Sequence, residues 1–301
     1  MRPVLFSVFG FDIQSYGASK AVAALVAAYL LARAFERLGL KRDPAYSLVM
    51  WATTWGFVGA KAYYLLEQLP NFDLHHLGGM GFTWYGGLIG GVVAAVVIVR
   101  RHRLPLGVVA GATAIPLTLA YGIGRLGCLL SGDGTYGKPT SVPWAMSFPN
   151  GVMPTNVPVH PTPLYETLAT VVIALVLWQL GKRWNPPAVF GAYLVLSGIS
   201  RFLVEFLRIN EAALLGLTQP QLWALASLIT GVALIVRTQY LNRPPRAAVQ
   251  SNERRKGGER WATASNRRET SAFLHHLNTK WLGFDVQVCG DRTPEGSTPW
   301  R

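Results

Sequence analysis

The chain is 301 residues long, half of it hydrophobic and only 14% charged, where a soluble domain carries about 25% charged residues. With a mean hydropathy of +0.27, this composition excludes a wholly soluble protein and a wholly disordered one. Two cysteines, Cys128 in an apolar run and Cys289 in a polar tail, exclude a disulfide framework. The net charge of +13 would point to nucleic acid in a soluble protein, but among membrane helices Lys and Arg gather in cytoplasmic loops and beside anionic lipid.

Seven apolar stretches follow one another: Ile13 to Leu38, Ala45 to Leu69, Gly79 to Val99, Gly107 to Leu130, Pro163 to Leu180, Ala188 to Leu207 and Gln219 to Val236. Each is about 18 to 26 residues long, which suits a hydrocarbon core of roughly 30 Å. They predict an all-α membrane protein of about seven transmembrane helices. The first follows a short, weakly amphipathic segment without a small-residue cleavage pattern, so it is expected to remain in the mature protein. Basic residues set the orientation: Arg33, Arg37, Lys41 and Arg42 follow the first helix, Arg100, Arg101 and Arg103 the third, Lys182 and Arg183 the fifth, and Arg237, Arg243 and Arg246 the seventh. Those ends are expected in the cytoplasm, with the N-terminus and the Pro70 to Gly78, Gly132 to Thr162 and Ile209 to Thr218 connections outside.

The transmembrane domain is therefore expected over residues 1–240. Beyond Leu241 the composition changes abruptly to a tail with 11 basic and 6 acidic residues, +5 of the total charge. Without apolar periodicity, residues 241–301 read as a basic, disordered cytoplasmic extension that can lie on anionic lipid.

Charges inside apolar stretches are the informative exceptions, because a membrane-embedded charge costs several kcal/mol unless it pairs, meets water or meets a ligand. Arg125 lies late in the fourth helix within Tyr-Gly-Ile-Gly-Arg-Leu-Gly-Cys, where three glycines leave room for something to approach it. The same spacing suits an arginine that snorkels to the outer headgroups. Arg201, Glu205 and Arg208 follow at i, i+4 and i+7 in the sixth helix, on one helical face that reads as lining a polar cavity, with a structural ion-pair stripe as the alternative. The glycine-rich Ser131 to Thr140 segment is expected to wrap over the end of the fourth helix. His160-Pro-Thr-Pro-Leu-Tyr-Glu166 opens the fifth helix. It reads either as an N-terminal capping arrangement or, with Tyr165 and Glu166 at the depth of Arg125, as part of a site.

Gly124-Arg-Leu-Gly-Cys-Leu-Leu-Ser-Gly-Asp133, Tyr136-Gly137, His160 to Glu166, Trp84-Tyr-Gly-Gly-Leu-Ile-Gly90 and Arg201-Phe-Leu-Val-Glu-Phe-Leu-Arg208 together resemble the prolipoprotein diacylglyceryl transferase family, whose order of blocks along the chain they keep. The resemblance runs from about Ser15-Tyr16-Gly17 to the seventh helix. It implies a bacterial inner-membrane enzyme that moves the diacylglyceryl group of phosphatidylglycerol to the thiol of a lipobox cysteine in a prolipoprotein and releases glycerol phosphate. Cations suit this chemistry, since a dianionic phosphate leaves in a low-dielectric site. Arg125 and Arg201 match the family's signature arginine and its sixth-helix arginine, as catalytic residues. Tyr16 matches the first-helix tyrosine, and with Ser131, Asp133, Gly137, His160, Glu166, Glu205 and Arg208 it is expected to bind substrate.

Departures from the family pattern bear on catalysis. Tyr85 stands where many members carry a histidine before Gly-Gly, and a phenol of pKa about 10 is a poor base at neutral pH unless cations depress it. Tyr85 is kept as a catalytic candidate. Gly127-Cys128-Leu129 replaces Gly-Asn-Phe, and Ser131 replaces a common asparagine; Cys128 is read as a packing thiol in preference to a nucleophile. A transferase with another acceptor and a lipid-binding protein that has lost catalysis remain as alternatives, while the absence of internal repeats argues against a transporter. His75 and His76 lack companion ligands, and no nucleotide-binding loop is found. A reaction without metal or cofactor, and without nucleic acid, is expected.

Overall fold

Seven helices form where the apolar stretches predict them. In chain order they are α1 Ser15–Arg37, α2 Asp43–Gln68, α3 Trp84–Arg101, α4 Leu106–Ser131, α5 Thr162–Leu180, α6 Pro186–Glu205 and α7 Gln219–Val236. The computed structural model describes residues 2–8, 11–69, 73 and 81–238. His75, His76, Cys289 and the 241–301 tail lie outside the described residues. Six of the helices are long and apolar enough to cross a membrane. α2 is equally long, but its Thr, Gly, Trp and Tyr content and Lys61 make it less apolar. Large side chains such as Leu25, Leu168, Val172 and Ile229 are exposed along the helices, as lipid-facing positions are.

Backbones approach closely where glycines face one another, the packing expected where lipid is as apolar as the helices. A Cβ on Gly59 would overlap the Gly86 carbonyl across α2 and α3, and one on Gly191 would lie 2.8 Å from the Gly231 carbonyl across α6 and α7. α4 is central and packs on α1, α5 and α6. It carries Pro116 internally, which neighbouring helices tolerate in a membrane. Two apolar clusters fill the end of the bundle where α1 finishes and α4 begins: Leu31, Phe35, Leu48 and Val109 in one, Ala114, Ile173, Leu177 and Val189 in the other. That leaves the opposite end for polar groups.

Three short hairpins, not foreseen in the sequence, close this opposite end: β1 Val4–Val8 with β2 Phe11–Gln14, β3 Met146–Phe148 with β4 Thr155–Val159, and β5 Ala212–Leu214 with β6 Leu217–Thr218. Backbone hydrogen bonds tie the covering segments to the helices. The Arg2 N–H donates to the Leu130 carbonyl at 3.2 Å, the Lys138 N–H to Leu207 at 2.8 Å, and Gly137 forms a bridge with Arg208. A Cβ on Gly137 would overlap the Leu207 carbonyl, so only glycine lets the α4–α5 loop lie against the end of α6. Gly132 ends α4 in the left-handed conformation, φ 60°, as a helix C-terminus favours.

Candidate active site

At the hairpin-covered end, five charged side chains from three helices and one helix end converge. Glu166, one turn into α5 and 2% exposed, is the hub. Arg125 Nε of α4 lies 2.9 Å from its Oε2, Arg201 Nη1 of α6 lies 2.8 Å from its Oε1, and Arg208 Nη1 lies 3.9 Å from Oε2. Arg201 Nη2 also meets Glu205 Oε2 at 2.8 Å, an i,i+4 pair along α6. Tyr121, one turn before Arg125, donates to Glu166 Oε1 at 2.6 Å and accepts from Arg125 Nε at 3.0 Å.

Glu205, 2% exposed, is held in turn by the side chains of Asn210 and Thr218, the latter donating to Oε1 at 3.0 Å. Thr218 and Gln221 form the capping box that starts α7, so the first turn of α7 fixes the second carboxylate. Three guanidiniums stand against two carboxylates, and one positive charge is left over. Arg208 is the least satisfied member: its Nε is 3.7 Å from Glu205, and buried Nε and Nη1 have no hydrogen-bond acceptor among the described residues. Burial, and then Arg201 and Arg125, push its pKa below the ordinary arginine value, although a guanidinium stays protonated. Such a cluster can hold an anion and stabilise negative charge that develops beside it.

The structure brings together Arg125, Arg201, Glu166, Glu205 and Arg208 of the predicted site. Three readings change. Arg208 is not on the α6 face, because α6 ends at Glu205 and the next residues turn; it reaches the carboxylates from the turn. Glu166 does not cap α5, whose N-cap Pro161 has no side-chain cap; its carboxylate turns to the arginines. The glycines around Arg125 do not leave open room: a Cβ on Gly122 would overlap Thr170 Oγ1 of α5, and one on Gly127 would overlap Ser19 Oγ of α1. They let α1 and α5 close on α4.

The other predicted residues lie around this cluster. Ser131 is buried and donates to the Cys128 carbonyl at 3.2 Å. Asp133 Oδ1 accepts from the Thr135 N–H at 3.1 Å and its hydroxyl at 2.6 Å, an Asx turn. His160 Nδ1 is 3.2 Å from Tyr165 Oη, which accepts from Trp144 Nε1 at 2.7 Å. An apolar groove of about 490 Å³ lined by Trp144, His160, Leu164, Tyr165, Leu168 and Leu207 runs beside the cluster, next in sequence to Glu166 and Arg208. Tyr16 stands at the start of α1 with Lys20 Nζ 5.0 Å from its ring centre. Cys128 is a buried free thiol.

Tyr85 is placed among rings, 5.9 Å from Trp223, 5.4 Å from Trp84 and 6.4 Å from Tyr63 between centroids. Sequence reasoning missed Tyr121, Asn210, Thr218 and Lys20. Tyr121 was legible as the i−4 neighbour of Arg125 on one helix face, and Thr218-x-x-Gln221 as a helix start. Lys20 was legible as a lone charge inside the first apolar stretch; for Asn210 no sequence signal exists, because its partner is set by how a loop meets a helix end.

A buried cluster of arginines and glutamates at one end of a helical bundle defines a multi-pass membrane protein with a charged site. The family model for prolipoprotein diacylglyceryl transferase matches residues 3–237, and the chain belongs to that family. It is 33% identical over 215 residues to the phosphatidylglycerol--prolipoprotein diacylglyceryl transferase of Clostridium tetani (strain Massachusetts / E88), covering 69% of this chain and 86% of the relative. It is 34% identical over 260 residues to the protein of the same name from Idiomarina loihiensis, covering 79% and 93%. The namesake from Marinomonas sp. is 37% identical over 204 residues, covering 63% and 74%.

Proposed function

We propose that this protein is a phosphatidylglycerol–prolipoprotein diacylglyceryl transferase of the bacterial inner membrane. The sulfur of a lipobox cysteine attacks the glyceryl carbon that carries the phosphate ester. The carbon–oxygen bond breaks, its electron pair stays on the phosphate oxygen, and glycerol phosphate leaves; the thiol proton passes to solvent. The product is a thioether-linked diacylglyceryl protein. No metal or cofactor is needed to balance this exchange.

One observation carries the reading: three guanidiniums gathered on two buried carboxylates with a positive charge to spare. The phosphodiester of the donor has one negative charge and the departing monoester approaches two, so a fixed positive surplus favours the transition state over the ground state. Glu166 and Glu205 keep the arginines from repelling one another and aim their remaining N–H groups at the phosphate. Arg201 and Arg125 are assigned to the leaving group, Arg208 to the same phosphate through its unpaired N–H groups. The apolar groove beside Tyr165 and Leu207 suits an acyl chain. Tyr16, Ser131, Asp133, Gly137 and His160 border the bound lipid and peptide. Tyr85 acts through its hydroxyl, which is free of partners among the described residues, as a donor that orients phosphate or thiolate. The bias of basic residues toward the opposite connections supports an outward-facing site.

Purified protein incubated with labelled phosphatidylglycerol and a lipobox peptide is expected to yield a diacylglyceryl peptide and glycerol phosphate in equal amounts. Binding of the lipid without product would replace this reading by a lipid-binding role. Transfer to a different acceptor only would replace the acceptor.

A further inference from the structure

We infer that Lys20 is a further binding residue of the transfer site, contributing the second surplus positive charge that the departing phosphate requires. The inference rests on the transfer reading and adds a residue to it. Lys20 is the one Lys, Arg, Asp or Glu in α1 before Arg33. Arg125, Arg201 and Arg208 share two carboxylates, but no described carboxylate pairs with Lys20. Its neighbour is instead a ring face, Tyr16, with Nζ 5.0 Å from the centroid. An ammonium group in a membrane helix without a counter-charge is costly and marks a place where a ligand or water meets it.

Its position separates it from a lysine that merely reaches for headgroup water. Side chains on α1 lean toward the helix N-terminus, so a snorkelling Lys20 would extend outward past Ser19. Ser19 faces Gly127 on α4, yet the Lys20 stem and ammonium lie along Gly124: a Cβ there would be 3.0 Å from Nζ and 3.8 Å from Cδ and Cε. Gly124 is three residues further from the covered end of α4 than Gly127, roughly 4.5 Å deeper, and about 10 Å below Ser131. The ammonium therefore lies level with its own turn of α1, between the Tyr16 ring and Gly124, the α4 residue directly preceding Arg125. Glycine at position 124 makes the space for it.

Charge matching says what it does there. The arginine cluster leaves one positive charge after its glutamates are counted, enough for the phosphodiester of the donor. The departing glycerol phosphate carries close to two negative charges at neutral pH. Lys20 supplies a further one, with three N–H donors and no carboxylate within ion-pair distance among the described residues. Its effect is thus greater on the leaving dianion than on the bound lipid.

The test uses the full chain in mixed micelles with labelled phosphatidylglycerol and a lipobox peptide, measuring kcat, KM for the lipid and the inhibition constant of added glycerol phosphate. Lys20→Gln is expected to lower kcat by about 10- to 100-fold and to weaken glycerol phosphate inhibition by about 10-fold. Its KM should move by less than about 3-fold, and Lys20→Arg should regain most of the lost rate because it restores the charge. Lys20→Met, which keeps the stem against Gly124, carries the same test if the glutamine variant does not fold. An inhibition constant within about 2-fold of wild type, a change confined to KM, or an arginine variant no better than glutamine overturns the inference. So does an active wild-type enzyme that glycerol phosphate fails to inhibit. Because each of these outcomes requires an active wild type, they are distinct from failure of the transfer reading, in which wild type itself makes no product.

Discussion

Arg201 touches both buried carboxylates, Glu166 and Glu205, each at 2.8 Å, and this double engagement needs the planar fork of a guanidinium. Arg201→Ala is expected to abolish transfer while the protein still inserts, and Arg201→Lys to recover little, since an ammonium cannot span both carboxylates. Wild-type turnover in the alanine variant would remove Arg201 from the site. Tyr85 poses a different question, because its ring already packs on Trp84, Trp223 and Tyr63 and phenylalanine would keep those contacts. Any loss in Tyr85→Phe therefore reports on the hydroxyl alone. If the hydroxyl orients phosphate or thiolate, the initial rate should fall by about 10- to 1000-fold, the range for one oriented donor, and Tyr85→His should keep substantial activity. A phenylalanine rate within about twofold of wild type would leave Tyr85 as a packing residue only.

Among the elements, α4 decides the site, because it carries Tyr121 and Arg125 and is gripped by α1 and α5. Gly122 sets the approach of α5, the helix that carries Glu166. Gly122→Ala is expected to push α5 away through the clash with Thr170 Oγ1 and to cost about 10- to 100-fold in rate, as displacement of a positioned group by about 1 Å does. In the double variant Gly122→Ala/Thr170→Ala the clashing hydroxyl is gone and the next Thr170 atom, Cβ, is 3.3 Å away, so most of the rate should return. Initial rates across the four forms of this cycle measure the coupling. A single variant as active as wild type would show that α4 and α5 need not be this close. The α4 glycine string was visible in the sequence, but whether it made room for a ligand or for another helix depended on which residues faced it.

For the whole molecule, orientation links the site to its substrates. The hairpin-covered end holds the arginine cluster, and the basic connections follow α1, α3, α5 and α7 at the other end. A reporter fused after Leu241 is expected in the cytoplasm and one inserted within Gly132 to Thr162 outside the membrane; the reverse labelling would place the cluster on the cytoplasmic face. A site on the outer side would meet a prolipoprotein after its signal segment has entered the membrane.

Composition and hydropathy alone determined a multi-pass helical protein, and they placed α7 at Gln219–Val236 and the ends of α4 and α5 within one residue. This is legible because the length of an apolar run is set by the bilayer and needs no knowledge of neighbours. The charged residues of the site were legible for the same reason: Arg125, Arg201, Glu205 and Glu166 stand out against an apolar background where charge is costly. Their partnership was not. Glu166 meets Arg125 from 41 residues away and Arg201 from 35, and only the approach of α4, α5 and α6 could join them. The turn that carries Arg208 back to the carboxylates, the grip of Asn210 and Thr218 on Glu205 and the placement of Lys20 along Gly124 were likewise decided by tertiary structure, because each depends on distances between segments that no local pattern encodes.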